Sequence, residues 1–368
     1  MKVEIITVLD NTNFGTYLQA LATSKAIISL GHNAEIIRYT RPSMTGVGQC
    51  FRLLKDRGVL SWLRNVWKIP GVLELRNKDY NYLKRHAAVT DEYVGYDSLI
   101  ANPPIADVYL TGSDQVWNSI YNRGVDKSFY LEFAPIGKRR VAYAASIGMD
   151  SIPLNERVET VGLLKKYNSI TVRESAAKNL LQTLGINTKV VLDPTLLIDS
   201  QQWSAIAEEN NIDFDDNYLL IYSVERKAQN KLINYYASLI AKEKNLKIYQ
   251  VSYSGSAARI PCVDKYFAHA TPDLFLNLMK KASFVVVSSF HGTAFSVNFN
   301  KQFLTISANR FNSRVQNLLD ITKLQSRLIV DNSFDLSKIQ DIEYRNVNKL
   351  ISIEREKSLL LLKSIIEL

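Results

Sequence analysis

The stretch "VVVSSFHGTAFS" (285–296) runs from an apolar strand into a His-Gly corner. His291 is the histidine best placed for chemistry. An imidazole titrates near neutral pH, donates to phosphate and moves protons. Its small neighbours, Ser288, Ser289, Gly292 and Thr293, leave room for a ligand. The alternative is a polar residue that merely closes a buried strand. Arg173 ends the apolar run "SITV" and precedes Glu174-Ser175. A guanidinium there either clamps a carboxylate or phosphate with paired hydrogen bonds or forms an internal salt bridge to Glu174 or Asp193. Asp114, within Thr111-Gly112-Ser113-Asp114-Gln115, offers a proton acceptor, or else caps the next segment. Gly112 and Ser113 let backbone approach a ligand, and Ser146 begins a second loop of small residues. Asn13-Phe14-Gly15 precedes a helix start, where backbone N–H groups favour anions; a plain turn is the other reading.

These residues need strands to carry them. "VEIITV" (3–8), a helix through Leu18, Leu21, Ala22, Ala26 and Ile28 that stops at Gly31, and "AEIIRY" (34–39) make one βαβ unit. Residues 41–100 are basic and aromatic and read as a helical insertion packed over that unit. Strand–loop units resume at "DVYLTGSDQVWN", "RRVAYAASIG", "SITVRES" and "TKVVLDPTLL". A second series starts near 217 with "YLLIYSV", a helix over 227–244 and "LKIYQVSY". It continues with a helix opened by Thr271-Pro272-Asp273, then "FVVVSS", then "QFLTIS". Alternating strands and helices, twice over, predict two Rossmann-like α/β domains with parallel sheets. They would span residues 1–200 and 210–335, with a helix over 336–368 packing back on the body. Ligands of such sheets lie at the carboxyl ends of the strands.

The totals narrow the classes. The 368 residues carry a net charge of +9, and 46% are hydrophobic. Disorder is excluded, and an anionic partner fits: phosphate, a phospholipid surface or nucleic acid, although many soluble proteins are equally basic. No nucleic-acid motif is present, so nucleic acid is not expected. Two distant cysteines and four scattered histidines argue against a metal site. No signal peptide and no apolar run of about 18 residues is seen. A cytoplasmic protein is expected, with peripheral contact at the inner membrane face.

Five blocks in order resemble the polysaccharide pyruvyl transferase family: "NFGTYLQALATSKAIISLGH", "LTGSDQVWN", "VAYAASIG", "TVRESAAKNLLQTLGINTKVVLDPTLL" and "SSFHGTAFSVNFNKQF". The resemblance implies a two-domain architecture of the GT-B glycosyltransferase kind. It implies an enzyme that moves the pyruvyl group of phosphoenolpyruvate onto a sugar as a cyclic ketal, without metal or further cofactor. The sugar would belong to a cell-surface polysaccharide or its lipid-linked precursor. In the family's last motif the arginine and histidine are implicated in donor binding; together with the residue chemistry this makes Arg173, Ser289, Gly292, Thr293 and Arg314 the donor-binding candidates, His291 and Asp114 the catalytic ones, and Asn13, Gly15, Gly112, Ser113 and Ser146 the candidates for lining a cleft. The family motif often reads Ser-Arg-Leu-His-Gly, whereas this chain has Ser288-Ser289-Phe290-His291-Gly292. Ser289 stands where an arginine is usual, and Arg314 or Arg259 would have to supply the charge. Two other readings remain open: a GT-B glycosyltransferase using a nucleotide sugar, and a non-catalytic sugar- or phosphate-binding relative.

Overall fold

The computed structural model describes residues 1–9, 13–210, 212–214, 217–224, 228–253, 257–307 and 313–368. By their contacts the residues form two units. One comprises Met1–Thr12, Thr16–Pro194 and Ser358–Leu368, the other Asn13–Gly15 and Thr195–Lys357.

The first unit contains β1 (Lys2–Ile6), α1 (Phe14–Ser29, whose first two residues group with the other unit), β2 (Asn33–Thr40), α2 (Gly46–Asn65), α3 (Ile69–His86), β3 (Ala88–Val94) and α4 (Gly95–Ala101). It continues through β4 (Val108–Thr111), α5 (Ser119–Asn122), β5 (Arg139–Ala145), α6 (Leu154–Leu164), β6 (Ser169–Val172), α7 (Ser175–Thr183) and β7 (Lys189–Val190). The sheet order is β3-β2-β1-β4-β5-β6-β7, with every neighbouring pair parallel. Central strands such as β4 are covered on both faces, so they read as unbroken apolar runs rather than alternations. The strand order reverses between β1 and β4, the point where sheets of this kind leave a crevice for ligands.

The second unit contains α8 (Ser200–Ala207), β8 (Tyr218–Tyr222), α9 (Ala228–Lys244), β9 (Lys247–Val251), β10 (Lys265–Phe267), α10 (Pro272–Lys281) and β11 (Phe284–Val287). It ends with α11 (Phe290–Asn298), β12 (Gln302–Ile306), α12 (Ser313–Thr322), β13 (Leu328–Ile329) and most of α13 (Tyr344–Glu367). Its parallel sheet runs β10-β9-β8-β11-β12-β13, so its own reversal lies between β8 and β11. Helix starts are written locally. Asp199 and Gln202 close a reciprocal capping box on α8. α10 opens with Pro272 and Asp273 and closes with Lys280 and Lys281, each suited to its end of the helix dipole.

Three boundaries differ from the sequence reading. The segment 41–100 is not all helix: Ala88–Val94 forms β3, parallel to β2 at the sheet edge. Its charged, partly exposed residues are usual for an edge strand and hide the strand signal. The units part at Pro194/Thr195, a few residues before the expected 200. The last helix begins at Tyr344, and its residues belong to both units, those from Ser358 onward to the first. There the Ser358 hydroxyl accepts the Leu192 amide (3.0 Å), and Arg139 Nε donates to the Ile365 carbonyl (2.8 Å).

Candidate functional site

In the second unit the chemistry gathers at the β8/β11 reversal. Ser223 and Ser288 follow the two strands, and their hydroxyls lie 3.0 Å apart. Ser289 caps α11: its Oγ accepts the Gly292 amide (3.0 Å), and its carbonyl accepts the Thr293 hydroxyl (3.0 Å). The Thr293 hydroxyl also lies 3.0 Å from that of Thr305 on β12. Helix α11 begins at Phe290, so the His-Gly corner is a helix start and His291 sits in its first turn. The histidine is only 6% exposed. A Cβ on Gly15 would clash with the His291 ring, so only glycine permits this approach. Gly15 is the second residue of α1, and Asn13 caps that helix by accepting the Gly15 amide (2.9 Å). Asn13 Oδ1 also accepts the Tyr222 hydroxyl (2.9 Å), and burial raises the Tyr222 pKa, which keeps the phenol a donor. Phe14 stacks on Phe275 (4.5 Å between centroids) and packs against Tyr222 and Tyr253. Two helix starts, those of α1 and α11, therefore meet at one imidazole. Arg314 occupies the first turn of α12 and is half-buried. Arg259 is engaged elsewhere, donating to the carbonyls of Val263 (2.7 Å) and Asp264 (3.0 Å) ahead of β10.

The first unit gathers Arg173, Asp193, Asp114, Glu174, Ser113 and Ser146 at the ends of β4, β5, β6 and the segment after β7. Arg173 Nη1 donates to Asp193 Oδ2 at 2.7 Å, and Ser113 Oγ donates to the same oxygen at 3.1 Å. Asp114 Oδ1 lies 3.6 Å from Arg173 Nη2, and Glu174 Oε2 lies 3.8 Å from Nε. Ser146 donates to the other Glu174 oxygen (2.7 Å). Burial alone would lower the Arg173 pKa, but Asp193, Asp114 and Glu174 together outweigh it and hold the guanidinium above its ordinary value. Of the two sequence readings for Arg173, the internal salt bridge is present. Asp114 is the least buried of the three carboxylates around Arg173; its side chain is 14% exposed, against 0% for Asp193 and 2% for Glu174. Its Oδ1 also accepts the Gln115 amide (2.9 Å). Gly112 donates its amide to the Ile6 carbonyl (2.8 Å), and the Thr7 hydroxyl donates to the Ser113 carbonyl (2.6 Å), which ties the loops across the β1/β4 reversal.

The backbone is strained at the same place. Asp114 (φ 76°) and Ala144 (φ 52°) both hold left-handed conformations. The register of β5 against β6 shifts between Ala142 and Ala145, and Thr171 Oγ1 accepts the Ala144 amide there. Such strain persists only where surrounding bonds enforce it, and it concentrates at functional sites.

Sequence reasoning missed a second feature of this unit. A cavity of about 540 Å³ lies past the ends of β2 and β3, lined by Tyr39, Arg41, Tyr96, Asp97, Asn122 and Asp126, among others. Arg41 donates to Asn122 Oδ1 (2.7 Å), and Asn122 Nδ2 donates to the Val116 carbonyl (2.8 Å), two residues beyond Asp114. Burial raises the Asp126 pKa, against the pull of the Tyr39 hydroxyl 2.9 Å away. The signal is Thr40-Arg41-Pro42, a strand end like the others, which reading residues 41–100 as an insertion obscures. Among the described residues no group of three or more His, Cys, Asp or Glu is arranged to hold a metal ion. Nor is any described helix long and apolar enough to cross a membrane.

Known proteins resemble this arrangement. A glycosyltransferase from Rickettsia africae aligns over 100% of this chain and 98% of its own, at 11% identity and a TM-score of 0.55. The UDP-GlcNAc 2-epimerase from Methanocaldococcus jannaschii aligns over 96% and 93%, at 13% identity and a TM-score of 0.51. At such identities the likeness establishes the fold, a GT-B-like pair of Rossmann-like units with parallel sheets. No curated protein matches the sequence significantly. The model of the family described as "Polysaccharide pyruvyl transferase" matches residues 13–310, a span that holds both strand-end clusters. The chain belongs to the polysaccharide pyruvyl transferase family.

Proposed function

We propose that the protein transfers the pyruvyl group of phosphoenolpyruvate to a sugar and closes it as a cyclic ketal. The sugar would belong to a cell-surface polysaccharide or its lipid-linked precursor. The observation that carries the donor half is the meeting of two helix starts at His291. Helix N-termini direct backbone N–H groups and a positive dipole end outward, and an imidazole beside them adds a proton donor. A small ligand with both a carboxylate and a phosphate suits that combination. Ser289 serves as a cap where the family often has arginine, so donor recognition in this chain leans on hydrogen-bond donors and dipoles, with Arg314 the candidate for added charge.

Chemistry follows in balance. A proton added to the donor methylene carbon makes C2 electrophilic. A sugar hydroxyl attacks C2 and loses its proton, the C2–O bond to phosphate breaks, and a second hydroxyl closes the ketal and loses its own proton. His291 delivers the first proton or stabilises the departing phosphate. Asp114 is the base for the acceptor hydroxyl. Arg173 acts as a positioning residue that holds Asp114 and Asp193. The cavity beside Tyr39, Arg41 and Asn122 is the proposed seat of the acceptor sugar, because aromatic faces and amide or carboxylate groups are the usual partners of a polyol. No metal or additional cofactor enters the scheme.

The test is incubation with phosphoenolpyruvate and candidate glycosides, read by mass spectrometry for one added pyruvyl ketal and by release of inorganic phosphate. His291→Ala and Asp114→Asn should each lower kcat/KM by on the order of 10²-fold or more. Consumption of a nucleotide sugar, with release of a nucleotide, would replace this reading with glycosyl transfer. Donor binding without turnover on any acceptor would replace it with a binding protein.

A further inference from the structure

Helix α2 and the short turn after it reverse the usual arrangement of an amphipathic helix. An apolar stripe ordinarily faces the core. Here Val47, Phe51 and Leu54 fall at i, i+4 and i+7 and are 69%, 68% and 41% exposed. The helix breaks at Gly58 (φ 73°), and beyond it Leu60, Leu63 and Trp67 fall at i, i+3 and i+7 and are 74%, 57% and 68% exposed. The inward side is held by buried Gln49 and half-buried Leu53 and Trp62. A run of exposed apolar side chains this long marks an interaction surface rather than a solvated face.

Charge selects the occupant. Residues 46–72 carry five basic residues (Arg52, Lys55, Arg57, Arg64 and Lys68) and a single acid, Asp56, which is paired with Arg123. Lys55, Arg64 and Lys68 are exposed among the apolar residues, and Lys68 Nζ lies 5.4 Å from the Trp67 ring centre. Aliphatic and aromatic side chains interleaved with lysine and arginine are the makings of a helix that lies in the plane of an anionic bilayer. The apolar groups enter the acyl boundary while the cations meet headgroups. Neither half suffices alone, since stable peripheral binding takes two signals. We infer that residues 46–68 dock the protein on the surface of a bilayer rich in anionic lipid. The inference stands apart from the donor assignment, because membrane binding is read without either substrate.

The test is flotation of the full chain with phosphatidylcholine vesicles, with and without about one third phosphatidylglycerol. The protein should float with the anionic vesicles and stay in solution with the neutral ones. Phe51→Ser/Leu60→Ser/Trp67→Ser and Lys55→Glu/Arg64→Glu/Lys68→Glu should each reduce the floated fraction ~10-fold or more, at unchanged thermal stability. Trp67→Phe should remove the blue shift of tryptophan emission that vesicles induce in the parent. A parent that stays in solution with anionic vesicles overturns the proposal. So do triple variants that float like the parent, and so does a dimer in solution that the apolar variant splits while neither protein floats.

Discussion

Gly15 lies so close to the His291 imidazole that a methyl group cannot be added without moving one of them. Gly15→Ala should therefore act through the histidine. We expect it to lower kcat/KM of the proposed pyruvyl transfer about 10-fold or more, and to change little when His291→Ala is already present. This non-additivity is what two contacting residues show in a double-mutant cycle. Equal effects of Gly15→Ala in both backgrounds would separate the two residues. The sequence offered both as candidates but could not join them: they lie 276 positions apart (291 minus 15), and glycine leaves no side chain from which to infer a contact. Arg173 illustrates the opposite case. The sequence named Glu174 and Asp193 as alternative partners for this cation, but neither Asp114 nor the gathering of all three carboxylates around it. Asp193 and Asp114 reach it from different strand ends, and the cluster is a product of the parallel sheet. A buried guanidinium in such company holds the carboxylates in place, and removing one partner of a buried pair typically costs about 3–5 kcal/mol.

Most strands were legible because a parallel sheet covered on both faces demands continuous apolar runs, and "YLLIY" and "FVVV" meet that demand without exception. β3, the three-residue β10 and the two-residue β13 were not legible, the first because its residues are exposed and charged, the others because so few residues carry no period. α3 carries a feature that no propensity shows. Asp79 is only 4% exposed, and its Oδ2 has no hydrogen-bond partner among the described residues. Burial pushes its pKa up to about 8. A carboxyl whose folded pKa is raised favours the folded state while protonated. Its contribution is complete below the ordinary value near 3.8 and is lost as pH rises to about 8. Unfolding by urea across that window should show stability falling with pH, and Asp79→Asn should reduce the slope. The slope should not vanish, because Glu4, also pushed up to about 8 by burial although Lys2 pulls it down, shares the window. An unchanged slope in Asp79→Asn would mean that this carboxyl is hydrated or paired in solution.

At the scale of the whole chain, the sequence showed two α/β series but not how the termini of the units interleave. Residues 358–368 belong to the first unit, held by the Leu192 amide on Ser358, by Arg139 on the Ile365 carbonyl and by His32 beside Glu367 (3.2 Å). Deleting them should destabilise the first unit selectively. Hydrogen exchange in β5 and at the end of β7 should accelerate while β8 and β11 stay protected; uniform acceleration of both sheets would contradict the division. The same division bears on the order in which the protein is made. Domains of a growing chain usually fold in sequence, the amino-terminal one first. Here the residues that complete the first unit leave the ribosome only after all of the second has been translated. The first unit should therefore be the later of the two to be completed, since the carbonyl of Ile365 and the hydroxyl of Ser358 are among the last groups to be made.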